Sequence, residues 1–149
     1  MGGVVAVGGG GVPVMRTEFR MALEHALEEV DADERLGAVL RAAGLNVRFE
    51  FTDLEMRLDV ETASDPDRHL IWSFDGPADH EAKLRLTMDS QVANAYLQGE
   101  ESLAIAMVRR QVECDCDSRV ALLYLPAIRL LCEPYRRVVR REFPQLAVE

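Results

Sequence analysis

Five stretches of this chain alternate apolar and polar residues with a period of two, and that pattern leaves few architectures open. Val47, Phe49 and Phe51 alternate with Arg48, Glu50 and Thr52, and Leu54, Met56, Leu58 and Val60 alternate with Glu55, Arg57, Asp59 and Glu61. His69 to Phe74 sets Leu70, Trp72 and Phe74 on one side, Lys83 to Met88 sets Leu84, Leu86 and Met88, and Gln111 to Cys116 sets Val112, Cys114 and Cys116. Successive side chains of a strand point to opposite faces, so each run has one dry side and one wet side. Such strands build an antiparallel-rich sheet that is covered on one face only. Asp53 is the one spare residue between the first two runs, which calls for a tight turn or a bulge there. Ser64-Asp65-Pro66-Asp67 and Asp75-Gly76-Pro77 supply the next breaks.

The cover comes from helical periodicity. Phe19, Leu23, Ala26, Leu27 and Val30 recur at helical spacing behind Thr17 as a cap, and Leu36, Val39, Leu40 and Ala43 form a second stripe that ends at Gly44. Asp89 to Leu97 carries the stripe Val92, Ala93, Tyr96 and Leu97 before the Gly99 turn. Ser102 to Arg109 contains Leu103, Ala104, Ile105, Ala106, Met107 and Val108 with no polar break. A helix that is apolar on all sides must be buried on all sides or line a cavity. The last segment repeats the excess: Val120, Leu123, Tyr124, Ala127, Ile128, Leu131 and Tyr135 form one stripe, and Leu122, Leu125 and Leu130 fall outside it. Pro126 starts a second helix there or kinks the first. The fold class is therefore α+β, a five-stranded, mostly antiparallel sheet with helices packed on one face.

Composition narrows the function more than the fold. A chain of 149 residues makes one domain, able to bury about 70% of its unfolded surface. We read residues 16–149 as that domain, behind a flexible glycine-rich leader at 1–15. The leader MGGVVAVGGGGVPVM has neither the basic start nor the cleavage pattern of a secretory signal, and no run reaches the about 20 apolar residues of a membrane span. The expected location is cytoplasmic. A net charge of −9 argues against nucleic acid, because phosphate-backbone binding needs a basic surface. Three cysteines, an odd number, do not make a secreted disulfide scaffold.

Chemistry-bearing motifs are sparse. The glycines of VVAVGGGG resemble a phosphate loop, but Pro13 interrupts and no helix begins before about Thr17. No G-x-S-x-G, Walker or H-E-x-x-H motif occurs. Cys114 and Cys116 lie on one side of a strand, yet further metal ligands would have to come from Cys132 and the scattered His25, His69 and His80. We read the cysteines as small buried apolar residues and expect no metal and no cofactor. His80-Glu81 and Asp75 sit in a loop and read as solvated carboxylates and imidazole rather than a dyad.

The strand of Leu84, Leu86 and Met88, the Gly99 turn, the apolar Leu103 to Met107 helix feeding a strand, and the closing Val120-Ala121-Leu122-Leu123-Tyr124-Leu125-Pro126 segment together resemble the sterol carrier protein 2 family of lipid-binding domains. The resemblance covers roughly residues 45 to 140. It departs from the family where Arg110 and Cys116 stand at glycine positions. What it implies is an apolar tunnel between sheet and helices that takes a sterol, fatty acid, fatty acyl-CoA or phospholipid, without catalysis. Burying an acyl chain gains about 0.8 kcal/mol per methylene, so few polar contacts are needed.

The candidate lining is Phe49, Met56, Trp72, Phe74, Leu84, Leu86, Leu103, Ile105, Met107, Leu123, Leu125 and Leu131. The plain alternative is that these twelve fill a solid, close-packed core. Arg136, Arg137, Arg140 and Arg141 could hold an anionic head group or touch an anionic membrane during loading, each charge there contributing about 1 kcal/mol. The same spacing suits the solvated face of a plain amphipathic helix. A homodimer stays open. Two rival functions come from other classes: a closed-core module that docks on a partner protein, and a small cone-shaped α+β isomerase or hydratase, for which Tyr96 and Tyr124 are the only inward proton-transfer candidates.

Overall fold

The computed structural model describes residues 12–148. Most of the glycine-rich leader lies outside the described residues, which enter the first helix from Val12 to Met15. Helix α1 (Arg16–Ala32) starts with Met15 as its N-cap and no side-chain cap, so Thr17 lies inside the helix instead of capping it. Helix α2 (Glu34–Ala43) is capped by Asp33, whose carboxylate accepts from the Arg35 and Leu36 N–H groups. It ends at Gly44, which adopts the left-handed conformation at φ 64° that favours glycine.

Strands β1 (Asn46–Phe51), β2 (Met56–Thr62), β3 (Leu70–Phe74), β4 (Leu84–Met88) and β5 (Val112–Asp115) form a single five-stranded sheet in the order β3-β2-β1-β4-β5. Every pairing is antiparallel except β1 with β4, which is parallel. Helices α3 (Ser90–Leu97) and α4 (Leu103–Val108) lie between β4 and β5, and α5 (Ser118–Arg129) and α6 (Cys132–Glu142) close the chain. The expected turn between the first two strands is a 3-10 turn at Thr52–Leu54, completed by Glu55 at φ 48°. Leu54 therefore belongs to the turn, and β2 begins at Met56. Pro126 lies inside α5; the break into α6 falls later, at Leu130 and Leu131.

Register confirms the apolar alternation. One row across the inner face carries Phe74, Leu58, Phe49, Leu86 and Cys114, and its neighbour carries Trp72, Val60, Val47 and Leu84. A third carries Met56, Phe51, Met88 and Val112. Helices α1 and α6 pack against each other over this face, where the Phe19 ring meets Phe51 edge-on at 5.0 Å and Tyr135 at 6.2 Å.

The outer face is not simply wet. Arg48 is fully buried, and its Nε and Nη2 donate to the two carboxylate oxygens of Asp59 at 2.7 and 2.9 Å. The same guanidinium donates to the carbonyls of Pro77 and Ala78, and Arg57 donates to that of Gly76. The Asp75–Lys83 connection is thus drawn over the back of the sheet by side chains that alternation assigned to solvent. Its left-handed residue, Asp75 at φ 54°, accepts from the Arg57 N–H and from Arg16.

Two stability effects follow. Replacing Arg48 by Met strands a buried carboxylate and should cost about 3–5 kcal/mol in urea unfolding. Asp31 behaves differently with pH. Burial alone would raise its pKa, but the Leu70 and His69 N–H groups and Arg68 outweigh burial and hold the carboxyl below its ordinary value. Its stabilisation is therefore complete above the unfolded carboxylate pKa and fades as pH falls through the lower folded value. Asp31→Asn should cost about 1–2 kcal/mol at neutral pH, the deficit closing below about pH 4, as chemical unfolding at several pH values would show.

Candidate functional site

Between the inner face and the helices lies one apolar chamber. Its floor is Phe49 and Phe51 of β1, Leu58 of β2, and Leu86 and Met88 of β4. One wall is Leu23, Ala26 and Leu27 of α1, and the facing wall is Ala93, Tyr96 and Leu97 of α3. Leu131 and Tyr135 at the start of α6 close the roof. The cavity is about 30 Å³. Pockets that enclose a drug-sized ligand measure about 300–1,000 Å³. A lipid chain would therefore have to push the helices outward from this closed form.

Local chemistry explains why the α3 wall sits where it does. Asp89 caps α3 through the Gln91 and Val92 N–H groups, and Asp53 of the 3-10 turn accepts from the Ser90 N–H and hydroxyl at 2.7 and 2.6 Å. At the other end Gly99 turns the chain at φ 83°. The outer side of α3 is held by the C-terminal tail: the side-chain amides of Asn94 and Gln98 each donate to the Leu146 backbone carbonyl at 2.8 Å, and the Val148 N–H donates to Gln98 Oε1. Tyr135 joins chamber and tail, since its ring lines the cavity while its hydroxyl donates to Asn94 Oδ1 at 2.7 Å. Each polar group of this buried network has a partner, as a low-dielectric site demands.

No formal charge lines the chamber. Burial pushes the Tyr135 hydroxyl far above its ordinary pKa, and burial together with Cys132 does the same for Tyr96, so both stay neutral. Arg129 is the cation whose field reaches both Tyr96 and Cys132. The lining is thus apolar and uncharged.

Of the twelve residues expected to line a tunnel, Phe49, Leu86 and Leu131 meet in this chamber. Met56, Leu84 and Leu103 are buried in the surrounding core, and Trp72, Phe74, Met107 and Leu125 pack partly exposed at its margin. Ile105 and Leu123 face outward, 49% and 56% exposed. The expectation that the apolar α4 is buried on all sides or lines a cavity is thus corrected: it does not border the chamber, and only Leu103 and Ala106 turn inward, because a six-residue helix resting on one edge strand has one covered side. The α1 and α3 walls, Phe51, Leu58, Met88 and Tyr135 are not among the expected lining, although their stripes are visible in the sequence; only the packing of the helices over the central rows sets them around a common space.

The arginines of α6 are partly spent within the fold. Arg137 pairs with Glu29 and Glu133, and Arg141 pairs with Glu29 and Glu142. Arg136 and Arg140 have no ion pair among the described residues. Tyr124 donates its hydroxyl to the Gly44 carbonyl at 2.6 Å and tethers α5 to the end of α2. Among the described residues no group of three or more His, Cys, Asp and Glu could hold a metal ion, and no helix is long and apolar enough to cross a membrane.

Tyr135→Phe tests the coupling of chamber and tail. Loss of the hydroxyl leaves Asn94 Oδ1 with one donor, and denaturant titration should show a deficit of about 1 kcal/mol.

No family model and no curated protein matches the sequence. Solved structures do match the fold. A ubiquinone synthesis protein, UbiJ-SCP2, superposes with a TM-score of 0.57 at 13% identity, over 80% of this chain and 96% of its own. A crystal structure of sterol carrier protein 2 superposes with a TM-score of 0.53 at 14% identity, over 78% of this chain and 94% of its own. The chain spans 13% of a stereoselective inverting sec-alkylsulfatase from Pseudomonas sp., which overlays 56% of it with a TM-score of 0.48 and 13% identity. The chain accordingly has the fold of sterol carrier protein 2.

Proposed function

We propose that the chain is a non-catalytic carrier for an apolar lipid: a sterol, fatty acid, fatty acyl-CoA or phospholipid. The observation that carries this reading is the uncharged, apolar chamber between sheet and helices. An apolar pocket gives affinity through area and asks little of hydrogen bonding, so the site would select size and greasiness more than a particular head group. The names of the superposed proteins, a sterol carrier protein and a ubiquinone synthesis protein, support it. Any anionic head group would stay outside, near Arg129, Arg136 and Arg140, which also offer the contact for an anionic membrane during loading. A cytoplasmic location fits this task, and the chamber is built within a single copy, so a homodimer is not required.

One observation favours a second reading, a protein-interaction module. Val108 and Leu122 are 82% and 80% exposed, and Ile105 and Leu123 add to the apolar surface of α4 and α5. The isomerase-like alternative has less support, since Tyr124 serves as a tether and no carboxylate or imidazole lines the chamber to take a proton.

The delipidated full chain, titrated with a fluorescent fatty acid and a fluorescent sterol, should show saturable energy transfer from Trp72 that an unlabelled lipid reverses. Ala93→Leu, which fills the chamber from α3, should weaken that binding by about tenfold or more, each tenfold being 1.4 kcal/mol. A folded protein giving no transfer with either probe would favour the interaction module.

A further inference from the structure

Cys114 and Cys116 lie outside the chamber, yet their sulfur atoms are 3.5 Å apart. Cys114 is the third residue of β5, an edge strand paired only with β4, where it stands opposite Leu86. Cys116 lies one residue beyond the strand, at a bend that leads into Asp117, the cap of α5. Both thiols are partly exposed. We propose that this pair is a reversible dithiol–disulfide site at the corner between β5 and α5.

Geometry permits the bond. Strand residues two apart share a face and are separated by about 6.6 Å at a rise of 3.3 Å per residue, near the upper end of the Cα separations that disulfides span. The sulfurs are already in contact at 3.5 Å. Cys132 provides the internal contrast. Its thiol donates to the Tyr96 carbonyl at 3.6 Å, burial raises its pKa, and no sulfur contact joins it to either of the other cysteines.

The oxidant is a small disulfide, RSSR, and the order of attack follows from the surroundings. Cys116 stands at the bend beyond the paired strand and attacks first, while burial, the hydrogen bond to Cys116 and the neighbouring charges push the Cys114 thiol up. The Cys116 sulfur, after losing its proton to water, attacks one sulfur of RSSR; the S–S bond breaks and RS⁻ leaves. Cys114 then gives up its proton and attacks the Cys116 sulfur, forming the Cys114–Cys116 bond and expelling the second RS⁻. The two protein thiols lose two electrons and two protons, and RSSR becomes two RSH.

Trypsin separates the relevant thiols, because cleavage after Arg110 and Arg119 puts Cys114 and Cys116 on one peptide, while cleavage after Arg129 and Arg136 puts Cys132 on another. The reduced full chain would be incubated with oxidised glutathione, quenched with an alkylating agent and mapped by mass spectrometry. The expected result is loss of two of the three free thiols, a Gln111–Arg119 peptide lighter by two hydrogens, a fully alkylated Cys132, and recovery of all three thiols with dithiothreitol. Cys114→Ser should trap glutathione on Cys116, and Cys116→Ser should leave Cys114 unmodified. Lasting glutathione adducts on the unaltered chain, disulfides between chains, oxidation of Cys132 at the same rate, or retention of all three thiols would each overturn the proposal.

Discussion

Strand β1 is paired on both edges, buried along its inner face and buried at Arg48 on its outer face, and the rest of the molecule is arranged around that double burial. Its inner side chains, Val47, Phe49 and Phe51, sit at the centre of the apolar rows, and its outer Arg48 meets Asp59 directly across the β1–β2 pair. A slip of one residue would turn every side chain of the strand over. It would drive a guanidinium into the aliphatic core and leave Phe49 under the back loop. Burying a Phe contributes about 1.5–3 kcal/mol, and an unpaired buried charge costs more, so both faces demand the same register.

That register places the chamber. With Phe49 central and Leu58 and Leu86 beside it, the floor is continuous across three strands, and α1, α3 and α6 stand around it. Helix α3 is the wall with the most identifiable polar ties: Asp53 and Asp89 at its start, and the tail through Asn94 and Gln98 along its side. The walls of α1 and α6 are joined instead by Phe19 packing and by the Glu29, His25, Arg137, Arg141 and Glu142 pairs. Exposed ion pairs of this kind contribute little each, whereas the buried tail network has no exposed member to screen.

Much of this was legible from periodicity, because the residues concerned have one dry and one wet side. The five strands, the opening helices and the Gly44 stop emerge where the pattern places them. Pattern failed where a polar residue is buried for a partner remote in sequence. Arg48 looks like any wet-face arginine until Asp59, Pro77 and Ala78 surround it. It also failed where apolar residues are left uncovered, as with Ile105, Val108 and Leu122, since hydropathy carries no record of what a helix rests on. Arg110 shows a middle case. It is not glycine yet adopts φ 62°, in the left-handed region that glycine meets most easily.

By itself the sequence determined the class of fold, the strand faces and the absence of charge from the dry side, because side-chain direction in strands and helices follows from local geometry. Only the tertiary structure decided which dry-side residues surround open space and which fill the core. Phe49 and Met56 belong to the same alternating pattern, yet one borders the chamber and the other is packed solid. Which of them borders open space depends on how the helices are placed, and helix placement depends on contacts between residues far apart in the chain.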